Sequence, residues 1–99
     1  MNREEECIYF NNLFDLYGEL LTEREQEVFN FYYKEDLSLG EIAINSQVSK
    51  SAIGKTIKII NQKLETYEEK LKILNKKEKI EKLLINSENY EKVLKILND

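Results

Sequence analysis

The chain has 99 residues, 41% of them hydrophobic, and its formal net charge is −4 at pH 7. This length allows one domain around one modest core, and it excludes an active site enclosed between two lobes. With no proline and only three glycines, long stretches contain no helix breaker, which predicts an all-α fold.

The composition also excludes several kinds of chemistry. There is no histidine, and the single cysteine, Cys7, can form no intrachain disulfide and has no neighbouring metal ligand, so neither a zinc site nor cysteine–histidine catalysis is expected. No glycine-rich loop is present to cradle a phosphate. We therefore expect no enzymatic activity, no metal and no cofactor. Neither a secretory segment nor a membrane span is found, so we expect a cytoplasmic protein without membrane contact.

Two helices are predicted in the first third of the chain. Apolar residues recur at helical spacing through residues 3–21, and Thr22 with Glu25 forms a capping box that starts a helix over about residues 23–34. This second helix carries aromatic side chains at position 29 and at positions 31–33, and these cannot all face one side. Most are expected in the core, with one tyrosine half exposed. The alternative is an exposed ring that stacks on a nucleobase.

Residues 36–64 have the pattern of a helix-turn-helix that continues into a long helix. Ser38 and Glu41 form a second capping box, so a helix is predicted to begin there. Ser49 is the predicted N-cap of the following helix. The spacing of apolar residues on both sides of the turn is the spacing that two crossing helices require.

The turn between these two helices departs from the usual pattern. Val48 is its predicted buried anchor, but Ser46 and Gln47 occupy the places where such turns usually have an apolar residue and a glycine. One contiguous core is expected to join this anchor to apolar residues from the surrounding helices. The predicted core residues are Phe14, Val28, Tyr32, Ile42, Val48, Ile53 and Ile57.

The helix after the turn carries an uninterrupted heptad pattern. Apolar residues at alternating spacings of four and three extend over 22 residues, at Ile53, Ile57, Ile60, Leu64, Tyr67, Leu71 and Leu74. The first half should pack in the core, while the second half needs a cover, either from another subunit or from the C-terminal helices. We therefore expect a homo-oligomer. The candidate residues for an oligomer or partner interface are Ile59, Leu64, Tyr67, Leu71 and Leu74.

Beyond this helix a bend is predicted at residues 75–77. Two short amphipathic helices should follow, with residues 86–87 as the turn between them and the N-cap of the second. The expected organisation is one helical domain over residues 1–99, with a helix-turn-helix core over about 22–64 and a C-terminal helical extension over about 75–99.

Positive charge is concentrated in one segment. Residues 49–64 have four lysines and no acid, whereas residues 1–27 have a net charge of −6. The helix face opposite the heptad stripe carries the candidates for nucleic-acid binding, which are Lys50, Ser51, Lys55, Lys58, Asn61 and Gln62. This face is either a solvated lysine surface or a contact for phosphates and base edges, and it has no arginine to read guanine. Beside it, Gly54 removes a side chain that would block a close approach.

The stretch LTEREQEVFNFYYKEDLSLGEIAINSQVSKSAI, together with KLETYEEKL, resembles the YlxM family, small bacterial proteins similar to region 4 of sigma factors. The resemblance covers about Leu13 to Leu74. It implies a helix-turn-helix fold and an accessory or regulatory role in the signal recognition particle pathway. At residues 50–54 the chain has KSAIG where the family usually has Arg-Gln-Ala followed by an aromatic residue, so no arginine or aromatic contact is carried over.

Two functions fit these observations. The resemblance favours an accessory protein of the signal recognition particle that binds the particle's RNA, its GTPase or both. The helix-turn-helix taken alone favours a DNA-binding transcriptional regulator. Because the basic segment has few charges and no arginine, we expect any DNA binding to be weak and to have little sequence preference.

Overall fold

The computed structural model describes residues 1–85 and 87–98, and every regular element in this part of the chain is helical. This confirms the predicted all-α class with a helix-turn-helix. The six helices are α1 (Arg3–Tyr17), α2 (Glu23–Phe29), α3 (Leu39–Ser46), α4 (Lys50–Leu71), α5 (Ile73–Leu84) and α6 (Tyr90–Leu97). In this part of the chain, none of the helices is long and apolar enough to span a bilayer.

Local capping signals predicted three helix starts, and the structure confirms all three. At α2 the Thr22 hydroxyl accepts a hydrogen bond from the Glu25 amide (3.1 Å), while the Glu25 carboxylate accepts one from the Thr22 amide (2.9 Å). Ser38 and Glu41 form the same reciprocal pair at α3. The Ser49 hydroxyl caps α4. Each cap satisfies amides that lack a partner within their own helix.

The core forms around α4, which packs against α1, α2 and α3. The buried hydrophobic residues are Phe10, Leu13, Tyr17, Leu21, Val28, Phe29, Tyr33, Ile42, Ala43, Ile53, Ile57, Ile60 and Leu64. Of the predicted core, Val28, Ile42, Ile53 and Ile57 are therefore buried. Phe14 and Tyr32 are partly buried and pack against this core.

The aromatic residues after α2 are accommodated by a π-helical turn over Asn30–Lys34. In this turn the Glu35 amide donates to the Asn30 carbonyl, five residues back, at 2.9 Å. The wider turn changes the direction of successive side chains relative to an α-helix. Phe29 and Tyr33 are buried, while Phe31 and Tyr32 are partly buried. Two of the four rings therefore lie in the core, and the other two pack against it.

The prediction that Val48 is a buried anchor is wrong, because 44% of its surface is exposed. Backbone hydrogen bonds close the turn instead: the Val48 amide donates to the Ala43 carbonyl (3.1 Å) and the Gln47 amide to the Ile44 carbonyl (3.3 Å). This is a Schellman C-cap, and it places Gln47 in the left-handed region with φ = 57°. The turn therefore has its usual backbone geometry without the usual glycine.

Replacing Gln47 by glycine should stabilise the protein by about 0.5–1 kcal/mol, because glycine adopts a positive φ without the steric cost borne by other residues. The matched control is Gln62→Gly, which makes the same change within the regular part of α4 and should destabilise by about 1 kcal/mol. Urea denaturation of the two variants measures both effects. A Gln47→Gly protein less stable than the wild type would contradict this account of the turn.

The predicted continuation of the long helix to Leu74 and the bend at residues 75–77 are wrong. α4 ends at Leu71, and Lys72 has a left-handed φ of 54°. The Glu68 carboxylate accepts hydrogen bonds from the amides of Leu74 (3.0 Å) and Asn75 (3.1 Å) and so caps α5. The break between α4 and α5 therefore lies at Lys72, before the predicted bend, and the first amides of α5 are capped.

A tertiary contact fixes this junction. The Tyr17 hydroxyl donates to the Glu68 carboxylate at 2.7 Å and accepts from the Ile73 amide at 3.3 Å. Burial, reinforced by the hydrogen bond to Glu68, raises the pKa of Tyr17 to about 12. The heptad pattern could not predict this contact, because Tyr17 belongs to α1.

The far half of the heptad stripe is covered within the chain by α1. Leu64 is fully buried, and the Tyr67 ring lies 5.9 Å from the ring of Tyr17. Leu74 is partly buried against the core at the start of α5, which also packs on α1. Leu71 remains 47% exposed. Within the described residues, Leu64, Tyr67 and Leu74 are therefore covered by the chain itself, and Leu71 is not.

Both C-terminal helices are present, but α5 begins at Ile73, before the predicted bend, and α6 begins at Tyr90, three residues after the predicted N-cap at Ser87. α5 packs on α6, and the apolar stripe of α6 is partly buried, at Tyr90, Val93, Leu94 and Leu97. The predicted turn at residues 86–87 lies half outside the described residues, since Asn86 is not among them. In the described half, the Ser87 hydroxyl accepts a hydrogen bond from the Asn89 amide (3.2 Å) just before α6.

Candidate nucleic-acid interface

The helix-turn-helix positions one face of α4 toward solvent. α3 ends at Ser46, residues 47–49 form the connection, and the Ser49 hydroxyl accepts a hydrogen bond from the Ala52 amide (3.0 Å). Because Ile53 and the apolar stripe that follows it are buried, the opposite side of the helix points outward. The start of α4 is therefore the exposed helix of the motif.

Five of the six predicted candidates are exposed on this side of α4, and together they are called the basic face here: Lys50, Ser51, Lys55, Lys58 and Gln62. None of the three lysines forms an ion pair with a carboxylate of the described residues. They extend over about 12 Å of helix, at 1.5 Å per residue. The face thus presents three positive charges that the described residues do not neutralise.

The fourth lysine of the basic segment is used inside the fold. The Lys63 ammonium lies 2.7 Å from the Glu25 carboxylate, which is itself buried at the start of α2. This pair joins α4 to α2. One of the four lysines in residues 49–64 is therefore already paired inside the fold, and its charge is not available to a partner.

Asn61, the sixth candidate, is partly buried in a polar chain that joins three elements. Its Nδ2 donates to the Tyr33 hydroxyl (2.9 Å), and that hydroxyl donates to the Glu6 carboxylate (3.0 Å). Burial, together with the nearby carboxylate of Glu6, raises the pKa of Tyr33 above its ordinary value. The Asn61 amide therefore connects α4 to the π-helical turn and to α1.

Gly54 lies at the edge of the basic face, and nothing inside the protein requires a glycine there. Its φ is not positive. A Cβ atom placed on it would meet only the Leu39 Cδ1 atom, at 3.9 Å, which is an ordinary van der Waals distance. No segment of the described chain makes the close approach that the sequence suggested at this position.

The five candidates for a partner interface do not form one surface. Leu64 lies within the core, while Tyr67 and Leu74 are partly buried against it. Ile59 and Leu71 are about half exposed, but they are separated by roughly 18 Å along α4. Ile59 and Leu71 are therefore the most exposed of the five candidates.

The described part of the chain has no cluster of side chains suited to binding a metal ion. Residues 1–85 and 87–98 contain no group of three or more aspartate, glutamate, cysteine or histidine side chains arranged to hold an ion. The chemistry offered by α4 is that of ammonium, hydroxyl and amide groups. These groups bind anions and hydrogen-bonding surfaces.

The fold and the exposed second helix of the motif define a helix-turn-helix protein. Residues 4–99 match the family model described as "Putative helix-turn-helix protein, YlxM / p13 like", the UPF0122 family. The chain belongs to this family, as the sequence resemblance indicated.

Several curated relatives carry the same family name. A UPF0122 protein of Listeria monocytogenes is 49% identical over 78 residues, which are 79% of this chain and 71% of the relative. One from Listeria innocua is 51% identical over 73 residues, or 74% and 66% of the two chains. One from Clostridium kluyveri is 44% identical over 77 residues, or 78% and 69%. The chain thus spans about two thirds of the length of these relatives. No solved structure matches it.

Proposed function

We propose that this protein binds nucleic acid through the basic face of α4 and performs no catalysis. The observation that carries the proposal is the set of three lysines on the second helix of the motif, which have no ion-pair partner among the described residues. The whole chain, these lysines included, is acidic, with a net charge of −4. An exposed positive strip on such a chain favours an anionic partner, and phosphates suit lysine as a point charge.

For the partner, we propose the RNA of the signal recognition particle, its GTPase or both, with the protein acting as a cytoplasmic accessory or regulatory factor. The support comes from the resemblance to the YlxM family, which implies this role. Within this proposal, Ile59 is the apolar contact available beside the basic face, because it is 48% exposed.

The second candidate function is transcriptional regulation through duplex DNA, and the helix-turn-helix itself supports it. A repressor of this kind needs base-specific contacts, a two-fold pair of motifs and half-sites about 34–36 Å apart. The basic face has no arginine for bidentate contact with guanine. We therefore expect DNA binding to be weak and to have little sequence preference.

A parallel titration at physiological salt tests both functions. The ligands are random duplex DNA, the particle's RNA and the GTPase. The face variant combines Lys50→Glu, Lys55→Glu and Lys58→Glu. The control variant makes the same charge change at exposed lysines of α5 and α6, with Lys79→Glu, Lys92→Glu and Lys95→Glu.

The expected result is tightest binding to the particle's RNA or GTPase. RNA affinity should fall at least about tenfold in the face variant, and less in the control variant, because phosphate contacts lose both attraction and counterion release. Sequence-selective nanomolar binding to DNA that is lost in the face variant would support the regulator instead. Equal losses of affinity in the two variants would contradict a nucleic-acid site on α4.

A further inference from the structure

An open groove of about 450 Å³ lies beside the basic face. Four segments form it: the first half of α1, the π-helical turn, the start of α3 and the middle of α4. The lining residues that matter here are Phe10, Tyr32, Leu39, Ile57, Lys58 and Gln62. Lys58 and Gln62 belong to the basic face as well, so the groove and the face are continuous.

The apolar part of the groove wall is held in place by contacts with the core. Phe10 and Ile57 belong to the buried core, and Leu39 packs against it. The Tyr32 ring contacts the Tyr33 ring edge-on, with centroids 4.9 Å apart, and the Arg3 guanidinium lies 4.3 Å from the Tyr32 centroid. These contacts keep the aromatic wall ordered before any ligand arrives.

Gly54 also lines this groove. Neither its backbone conformation nor its packing requires a glycine, yet glycine lowers helix propensity in the interior of α4. The missing side chain at position 54 is therefore not needed for folding. Its effect is that the groove stays open where it meets the basic face.

The charges of the groove select its ligand. The carboxylates of Glu6 and Glu65 line it, so a phosphate inside would be repelled, while Lys58 and the exposed Lys55 one turn away attract phosphate at its lip. A basic peptide would suit the two carboxylates but would be repelled by the lysines. A nucleotide matches both regions, because its backbone is anionic and its base is neutral and flat.

We propose that this groove holds an unpaired nucleobase of the nucleic acid whose phosphates contact Lys55 and Lys58. The inference rests on the proposed function and specifies its ligand as single-stranded or looped nucleic acid. The base lies between apolar and aromatic walls, and the amide of Gln62 hydrogen-bonds its edge. Paired bases inside a duplex do not enter, because they are stacked and their edges are occupied.

The test compares a fluorescently labelled RNA hairpin that has an unpaired loop with a blunt RNA duplex of the same stem. Gly54→Leu fills the groove without replacing a lysine, and Gly54→Ala is a milder version that the fold accommodates. The control is Gly40→Leu, since a Cβ at Gly40 also meets a single atom at 3.9 Å and Gly40 does not line the groove. Thermal unfolding of each variant verifies that it is folded.

We expect the wild type to bind the hairpin about tenfold more tightly than the duplex, as one stacked base typically contributes. Gly54→Leu should remove this preference and Gly54→Ala should reduce it, while Gly40→Leu keeps it. Equal binding of hairpin and duplex, or a preference that survives Gly54→Leu, would overturn the inference and leave the proposed function standing. Failure of the wild type to bind either RNA would overturn the inference, while the proposed function is decided separately by the titration with the particle's RNA and GTPase.

Discussion

Replacing Ile53 by alanine is expected to lower the free energy of unfolding by about 2–5 kcal/mol, the usual cost of truncating a buried large side chain. Ile53 is 1% exposed and lies on the first turn of α4, in the core shared with α3. The loss combines the transfer free energy of the removed methyl groups with the cavity that remains. Urea denaturation followed by circular dichroism measures it.

Ile59→Ala is the matched control, since it makes the same chemical change on the same helix at a position that is 48% exposed. Its cost should stay below about 1 kcal/mol, as for most surface substitutions. If both variants lost the same small free energy, Ile53 would not be a core residue, and the orientation assigned to α4 would be wrong.

The second large effect is expected at Glu25, whose carboxylate is buried and serves two partners. One oxygen accepts from the Thr22 amide at 2.9 Å, and the other lies 2.7 Å from the Lys63 ammonium. Glu25→Ala removes the carboxylate half of the capping box, which accepts from the Thr22 amide, and leaves Lys63 without its partner. We expect a cost of about 1–3 kcal/mol, because Lys63 is partly exposed and regains some hydration.

The same carboxylate should make stability depend on pH. Burial would raise the pKa of Glu25, but the hydrogen bonds from Lys63 and Thr22 outweigh it and hold the pKa below its ordinary value. A lowered pKa in the folded state means that this stabilisation is complete above the unfolded-state pKa of about 4.3. It is then lost as the pH falls through the folded-state pKa.

Glu25→Gln should therefore lose less stability than the wild type on acidification from neutral pH to about pH 3. Glu27→Gln is the control, because Glu27 is exposed and pairs only with Arg24 on the surface of α2. Melting temperatures at a series of pH values give the comparison. A wild-type acid dependence that persists unchanged in Glu25→Gln would show that Glu25 titrates normally.

Features that depend on neighbouring residues in sequence could be predicted, and features that depend on tertiary contacts could not. The capping boxes at Thr22 and Ser38 need only a hydroxyl and a carboxylate three residues apart. The buried half of the heptad stripe follows from helical periodicity. The break at Lys72 could not be predicted, because it depends on Tyr17 and Glu68, which are 51 residues apart.

The turn between α3 and α4 shows a second reason why the sequence did not predict the structure. A glycine is the usual sign of a positive φ, and Gln47 adopts one without it, so the sequence carried no signal of the Schellman cap. The hydrophobicity of Val48 suggested burial, but the backbone hydrogen bonds that close the turn left its side chain outside. Hydrophobic character alone does not determine exposure.

For the candidate site, charge segregation predicted the basic face and helical geometry predicted its orientation. The internal roles of Lys63 and Asn61 could not be predicted, because Glu25 and Tyr33 approach them only in the folded chain. The groove was missed for the same reason, since four separate segments form it. Its signal in the sequence was Gly54, which leaves room for a close approach, whereas Tyr32 was assigned to the predicted core.

The most direct test of nucleic-acid binding by α4 is the salt dependence of RNA affinity in the wild type and the face variant. Each phosphate contact contributes a slope of about −0.7 to −0.9 to a plot of log affinity against log salt concentration. If the three lysines meet phosphates, the wild-type slope should be steeper than that of the face variant by about 2–3, and the control variant should keep the wild-type slope. Equal slopes in the wild type and the face variant would contradict the central claim.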